Sequence, residues 1–355
     1  MPDDGKVTLN RRTIFSALAI GGVGALGVGG FLATENRIGP HRLTARAIID
    51  RFQNTAGVFP GFRRNHAKGL AIEGYFESNG TGTELSRASV FEPGRYPVRG
   101  RFSLSGGNPH VADDSSVVRG LALRIDLPNS EQWRLATINL PVFLDPTPQD
   151  FYDRMLAFAA DPATGKPDAD RKSHYLATHP RTAAAMAITK TEPVAPTFAS
   201  STFRGLNAFE FTDTTGRTIP VRWTLIPETT ATPAPGRGPD YLFDQLKMDI
   251  RAAPCRWALT IVVGVPGTDR TDDATVAWPD SRRTVTVGTL VLTGIATATA
   301  DSVRETNFDP LVLPDGIAPS DDPLLAARSA AYAESFRRRS GEGDGRGAIE
   351  AGGAA

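Results

Sequence analysis

Cysteine is nearly missing from this chain. Cys255 stands alone, so no intrachain disulfide can form, and no cysteine-built zinc or iron–sulfur site is available. Histidine is also scarce. His41, His66, His110, His174 and His179 are the full set, and none form a metal-binding pair of the HExxH kind. Net charge is absent too: 39 Lys and Arg balance 39 Asp and Glu. That removes the electrostatic case for nucleic acid as the main partner. There is no internal repeat. With 40% hydrophobic and 22% charged residues, the composition excludes collagen, coiled coil and wholesale disorder. Glycine and proline are plentiful, at 35 and 27, and point to many turns rather than a helical bundle. The 355 residues make one large domain or two modest ones, enough to bury a sizeable core.

The N-terminus reads as an address. Arg11 and Arg12 precede Ile14–Ala33, an apolar, glycine-rich stretch without charge. A basic segment followed by an apolar one is the pattern of an export signal. The paired arginines suggest the twin-arginine route, which carries folded proteins. The other reading is a membrane anchor, since twenty uncharged residues can span. Either way the body would lie outside the cytoplasm, exported and periplasmic, with 14–33 as a tether in the second case. Residues 1–35 are set apart from the fold on this basis.

Strand-like runs follow: Gly69–Glu77, Tyr96–Leu104, Val118–Asp126, Arg134–Asn139, Asn207–Thr212, Pro220–Ile226, Trp257–Val265 and Val285–Thr297. Each is β-branched or aromatic and bounded by turn residues. Eight such runs predict a closed or nearly closed antiparallel β-barrel, an α+β fold with flanking helices. Helical periods fall at Pro148–Ala160, Asp168–Lys190 with a break at Pro180, Tyr241–Arg251 and Asp322–Arg339. The polar, glycine-rich segment 340–355 reads as a disordered tail.

Three stretches could carry chemistry. His66 stands directly before a strand, at a barrel mouth, either as a catalytic group or as a plain structural residue. Asn139 ends another strand before Leu140 and Pro141, as a turn former or as a donor to a ligand. Arg328 and Tyr332 share one face of the last helix at spacing i, i+4. They form either a surface stacking pair or an arginine that favours the phenolate, a good ligand for ferric iron. His110, His174 and His179 read as surface or capping residues, Cys255 as a small buried hydrophobe, and Trp133, Trp223, Trp257 and Trp278 as packing.

Together these stretches resemble the haem catalases. The segment from Phe59 and Pro60 to His66, Ala67, Lys68 and Gly69 is similar to the catalase segment ending in His-Ala-Lys-Gly. Arg101, Phe102 and Ser103 resemble its Arg-Phe-Ser strand, and Arg119 to Ala122 its Arg-Gly-Phe-Ala strand. Asn139 to Phe143 resembles Asn-x-Pro-Val-Phe. Asn207 to Phe211, Val221 to Trp223, Phe308 to Pro310, Gly316 to Ser320 and Arg328 to Tyr332 follow in the family's order. The likeness spans roughly residues 50–339. The chain is shorter than full-length catalases, and in this it resembles the trimmed, often exported catalase-related peroxidases. Ala333 stands where the family usually has proline after the tyrosine, and Glu334, Ser335 and Phe336 also diverge.

The resemblance implies a catalase-like domain over 36–339 with one haem b between the barrel and a C-terminal haem-ligand helix. Tyr332 would be the iron ligand, and Arg328 its partner. His66 would act as general base and acid, Asn139 would orient the peroxide, and Ser103 would fix the His66 tautomer. Arg63, Arg101 and Arg339 would hold the propionates, with Arg337 and Arg338 as alternatives to Arg339. The implied activity is reduction of hydrogen peroxide, and of organic hydroperoxides, with a small organic reductant and weak catalase activity. A monomer or dimer is expected rather than a catalase-type tetramer. A hydroperoxide-rearranging enzyme of the allene oxide synthase type and a non-enzymatic periplasmic haem-binding protein are the competing expectations.

Overall fold

The computed structural model describes residues 43–114, 118–161, 163–228, 238–296 and 306–342. The export signal or anchor expected over 1–35 lies outside these residues, as does the expected tail beyond 342.

The strands are β1 (Gly69–Ser78), β2 (Gly94–Leu104), β3 (Arg119–Asp126), β4 (Gln132–Ile138), β5 (Phe203–Thr212), β6 (Thr218–Pro227), β7 (Cys255–Val263) and β8 (Thr284–Ile295). They pair antiparallel in the order β4-β3-β2-β1-β8-β7-β6-β5, and Ile138 opposite Arg204 closes β4 onto β5. The result is the expected eight-stranded barrel. A ninth strand, β9 (Ile317–Pro319), adds to the outer edge of β5. It is three residues long and too short to show as an alternating pattern.

Alternation fills the barrel. In β2, Tyr96, Val98, Phe102 and Leu104 point inward; so do Leu121, Leu123 and Ile125 of β3, and Trp133 and Leu135 of β4. Phe102 is fully buried, with ring centroids 5.1 Å from Phe198, 5.7 Å from Phe203 and 5.9 Å from Trp257. Trp133 meets Trp223 edge-on at 5.2 Å, and Trp223 stacks on Phe209 at 4.2 Å. Removing such a ring leaves a cavity that costs about 3–5 kcal/mol. The interior is therefore solid, and any site must lie on the outer wall.

Helices cover that wall. They are α1 (Ala45–Ala56), α2 (Pro148–Ala157), α3 (Ala169–Thr178), α4 (Pro180–Thr191), α5 (Tyr241–Ala252) and α6 (Pro323–Ser340). The break expected at Pro180 is present, with His179 serving as the cap between α3 and α4. The sequence reading did not anticipate α1, although Thr44 caps it and Ile48 and Ile49 form its buried side. α6 starts on Asp322, whose carboxylate accepts from the Leu324 N–H, with Pro323 at the first helical position. Its last turn carries Arg337, Arg338 and Arg339, as the helix dipole favours. Beyond it, Glu342 accepts from the Gly61 N–H at 3.1 Å and pairs with the buried Arg64. The start of the expected tail is thus tied to the body. Among the described residues no helix is long and apolar enough to cross a membrane.

Candidate active site

A cavity of about 460 Å³ lies between the outer faces of β2, β3 and β4 and the helices α1, α2 and α6. His66, Ser103, Arg63, Arg101, Arg328, Tyr332 and Arg339 all line it. Residues spread over most of the sequence thus meet around one volume.

His66 is held by an irregular segment just before β1. Its φ is +55°, a left-handed backbone that a non-glycine residue keeps only when its surroundings impose it. Asn65 supplies part of that constraint: its side-chain oxygen accepts from the His66 N–H at 3.0 Å and the Gly106 N–H at 2.8 Å. Arg101 supplies more, donating to the His66 and Ala67 carbonyls, both at 2.7 Å. The sequence reading missed Asn65; its place next to the histidine was the available signal.

The imidazole is also fixed. His66 Nδ1 lies 3.0 Å from Ser103 Oγ, so Nε2 is the nitrogen left for a substrate. Burial, then the positive charges of Arg101, Arg328 and Arg63, push the His66 pKa down to about 3. The ring is therefore neutral at physiological pH and can accept a proton. Two glycines make room. A Cβ at Gly120 would stand 3.0 Å from Ser103 Oγ and 3.1 Å from the His66 ring. One at Gly69 would fall 2.4 Å from the Arg101 guanidinium carbon.

Asn139 sits one residue beyond β4, between the lining residues Ile138 and Leu140, but does not itself line the cavity. The reason is local. Its N–H donates to the Arg119 carbonyl at 3.0 Å, and its Oδ1 accepts from the Arg119 N–H at 2.8 Å. The side chain is folded back on β3, and the amide –NH2 is its remaining donor.

On the opposite wall, α6 carries Arg328 and Tyr332. Arg328 donates to Asn207 Oδ1 and, at 3.1 Å, to the Ala136 carbonyl. Asn207 in turn donates to Asp322 at 2.7 Å. A chain of bonds thus runs from the cap of α6 through Asn207 in β5 to Arg328, one turn before the tyrosine. Burial raises the Asp322 pKa. Asn207 had been read only as a strand residue. Of the three arginines that end α6, Arg339 alone lines the cavity. Arg337 pairs with Glu334, and Arg338 with Glu334 and Asp50. Ser335, one of the residues diverging from the family motif, accepts from the Arg64 N–H at 3.3 Å.

The lining is mostly apolar, with Ile48, Phe143, Phe151, Met155, Leu206 and Phe308 among its residues. Six arginines line it (Arg63, Arg101, Arg154, Arg204, Arg328 and Arg339), and no described Asp or Glu does. Arg154 is matched by Asp145, and Arg204 by Glu192. Arg101 bonds only to backbone carbonyls, and its pKa is pushed well down by burial and by Arg63. A flat apolar group with two carboxylates and a metal that takes a phenolate oxygen fits this donor set. Haem has those properties.

A family model described as catalase matches residues 33–344. A catalase-related peroxidase of Synechococcus elongatus is 35% identical over 343 residues, covering 93% of this chain and 97% of its own. Another, from Mycolicibacterium paratuberculosis, is 32% identical and covers 84% and 96%. Catalase A of Saccharomyces cerevisiae superposes with a TM-score of 0.70 at 23% identity, covering 86% of this chain and 66% of its own. A fungal catalase gives 0.71 at 22%, with 64% of its chain covered. The chain thus spans about two thirds of the solved catalases it matches, and at that identity they speak for the fold. On the match to the family model and to relatives covered nearly end to end, the chain belongs to the catalase family of haem enzymes.

Proposed function

We propose that this protein is a peroxidase that reduces hydrogen peroxide, and organic hydroperoxides, with electrons from a small organic donor. The observation that carries this is the neutral His66 held over an arginine-rich cavity whose far wall presents Tyr332. Haem b would be held by Tyr332 through its phenolate oxygen, with Arg63, Arg101 and Arg339 on its carboxylates. When bound, it supplies a redox centre able to take electrons one at a time.

The chain's own part is positioning and proton movement. His66 Nε2 takes the proton from one peroxide oxygen and returns it to the other, which leaves as water. Such general acid–base transfer is worth roughly 10²–10⁴ in rate. Its low basicity keeps the proton from staying on the ring. Ser103 holds the tautomer that this needs. Asn139 has its carbonyl committed to Arg119, so orienting the peroxide through its –NH2 requires that group to turn into the cavity between Ile138 and Leu140. Arg328 lies one helical turn before Tyr332 and is braced by Asn207 and the Ala136 carbonyl.

The two end-to-end relatives are catalase-related peroxidases by name, which supports donor oxidation over disproportionation, with weak catalase activity retained. Export through the segment containing Arg11 and Arg12, and a monomeric or dimeric state, belong to the same proposal. The test is oxygen release and donor oxidation by haem-loaded protein, measured side by side. Donor oxidation outpacing oxygen release is the expected result. Fast oxygen release that a phenolic donor does not divert would make the protein a small catalase instead.

A further inference from the structure

Three helices wall the cavity, and they are not anchored alike. α6 is buried along its first half, capped at its start and tied to β5 through Asn207. α2 is backed from outside by α3 and α4. Tyr175 of α3 donates to the Asp150 carbonyl at 2.8 Å, and Thr182 of α4 reaches the buried Asp145, which pairs with Arg154 at 2.8 Å. Among the described elements, α1 packs mainly on α6.

The buried side of α1 faces the cavity itself. Ile48 and Ile49 are its two buried residues, and both line the cavity, as does Phe52. Among the described residues, neither isoleucine belongs to a cluster of buried apolar side chains. A surface helix is held down chiefly by burial of its apolar stripe. For α1 that stripe is turned to the space a cofactor takes, not to the barrel core.

The other ties of α1 are few and weak. Arg51 donates to the Met155 carbonyl of α2 at 2.9 Å. Arg338 of α6 pairs with Asp50 at 2.8 Å and donates to Gln53. Half-exposed ion pairs contribute little. Phe52 meets Phe151 edge-on at 6.0 Å. Against α6 the seam is made of small side chains, Ala45 against Ala327 and Ala330, which lets one helix seat on the other without interlocking.

The chain can bend at the end of α1 and is held just beyond. Gly57 closes the helix with φ +91° and ψ 172°, a conformation that suits glycine. Four residues on, the Gly61 N–H is bound by Glu342, and Arg64 is bound by Glu342 and Ser335. A movement of α1 about Gly57 therefore stops short of His66.

We propose that α1 is the lid of the haem site. It swings about Gly57, haem enters and leaves beneath it, and bound haem seats it through Ile48, Ile49 and Phe52. Order in α1 and haem affinity are then linked, because a ligand that contacts only the closed state favours that state. The inference goes beyond the peroxidase reading and needs only that the cavity holds haem.

The test is the rate of haem transfer from the full-length holoprotein to excess apomyoglobin, with hydrogen exchange of the helices followed by mass spectrometry. Ala45→Leu wedges α1 away from α6 and speeds transfer roughly tenfold. Arg338→Gln cuts the ties to Asp50 and Gln53 and speeds it about two- to threefold. Val287 is buried in the barrel core and does not line the cavity. Val287→Ala lowers stability in urea but leaves transfer within about twofold of wild type. Haem loading slows exchange across 45–56 more than across α2. Transfer as fast in Val287→Ala as in Ala45→Leu overturns the proposal, and so does exchange across 45–56 that is the same with and without haem. Neither readout involves peroxide turnover. A protein that binds haem and oxidises no donor ends the peroxidase reading, while transfer and exchange still decide the lid. A chain that takes up no haem ends both.

Discussion

The two walls of the cavity are built in opposite ways. The wall that holds His66 is irregular chain with a left-handed residue at its centre, fixed by Asn65, Ser103 and Arg101. The wall that holds Tyr332 is an 18-residue helix with a proper cap, and its arginine is braced through Asn207. Proton transfer needs one ring nitrogen at one place, and backbone strain of about 1–3 kcal/mol there is sustained by the surrounding bonds. Holding a metal ligand needs only a rigid rod docked at a set distance. The histidine side should therefore lose function through small positional errors, and the helix side through lost stability.

Removing the histidine breaks the comparison most directly. His66→Ala should slow the peroxide step by about 10²–10⁴ while haem content stays near wild type; stopped-flow mixing with peroxide and the visible spectrum measure the two. On the helix side, Asn207→Ala leaves Arg328 and Asp322 short of partners. It should cost about 1–3 kcal/mol in urea unfolding, a larger stability loss than at any of the His66 contacts. Asn65→Ala should slow the peroxide step roughly tenfold through misplacement, in line with a transition-state loss near 1.4 kcal/mol, with the shape of the pH profile kept. Glu342→Gln, which loosens the pair with Arg64 where the two walls meet, should show the smallest effect, a stability loss of about 1 kcal/mol.

The fold was legible because its strands obey a simple period. Each of the eight runs lies within two residues of an observed strand end, except at β5, where the observed strand begins at Phe203. That strand carries an irregularity between Gly205 and Phe209, which hides its first half from an alternating pattern. The site was legible as motifs rather than as geometry. His66, Ser103, Arg63, Arg101, Arg328, Tyr332 and Arg339 converge on one cavity. Asn65 was passed over although it adjoins His66, Asp322 was read only as the start of the last helix, and Asn207 only as a strand residue, because its partners lie far away in sequence. No local pattern shows that Asn207 will meet Arg328, 121 positions on. The fold of Asn139 back onto β3 was hidden for the same reason, since it depends on a register that only the closed sheet sets.

Charge around His66 also makes stability depend on pH, with a defined sign. The folded-state pKa lies near 3, below the ordinary value of 6.5. Below about pH 6.5 the unfolded chain binds a proton that the folded chain does not. Stability contributed here is therefore present above that value and is lost as pH falls toward 3, by up to about 1.4 kcal/mol per pH unit.

The same shift offers the most direct test. The central claim is that His66 works as a neutral base because burial and three arginines keep it so. The second-order rate of reaction with peroxide, measured in haem-loaded protein from about pH 4 to about pH 9, reads that state directly. The expected result is a rate that stays level down to about pH 4. A fall with a midpoint near 6.5, the titration of an ordinary histidine, would contradict the account.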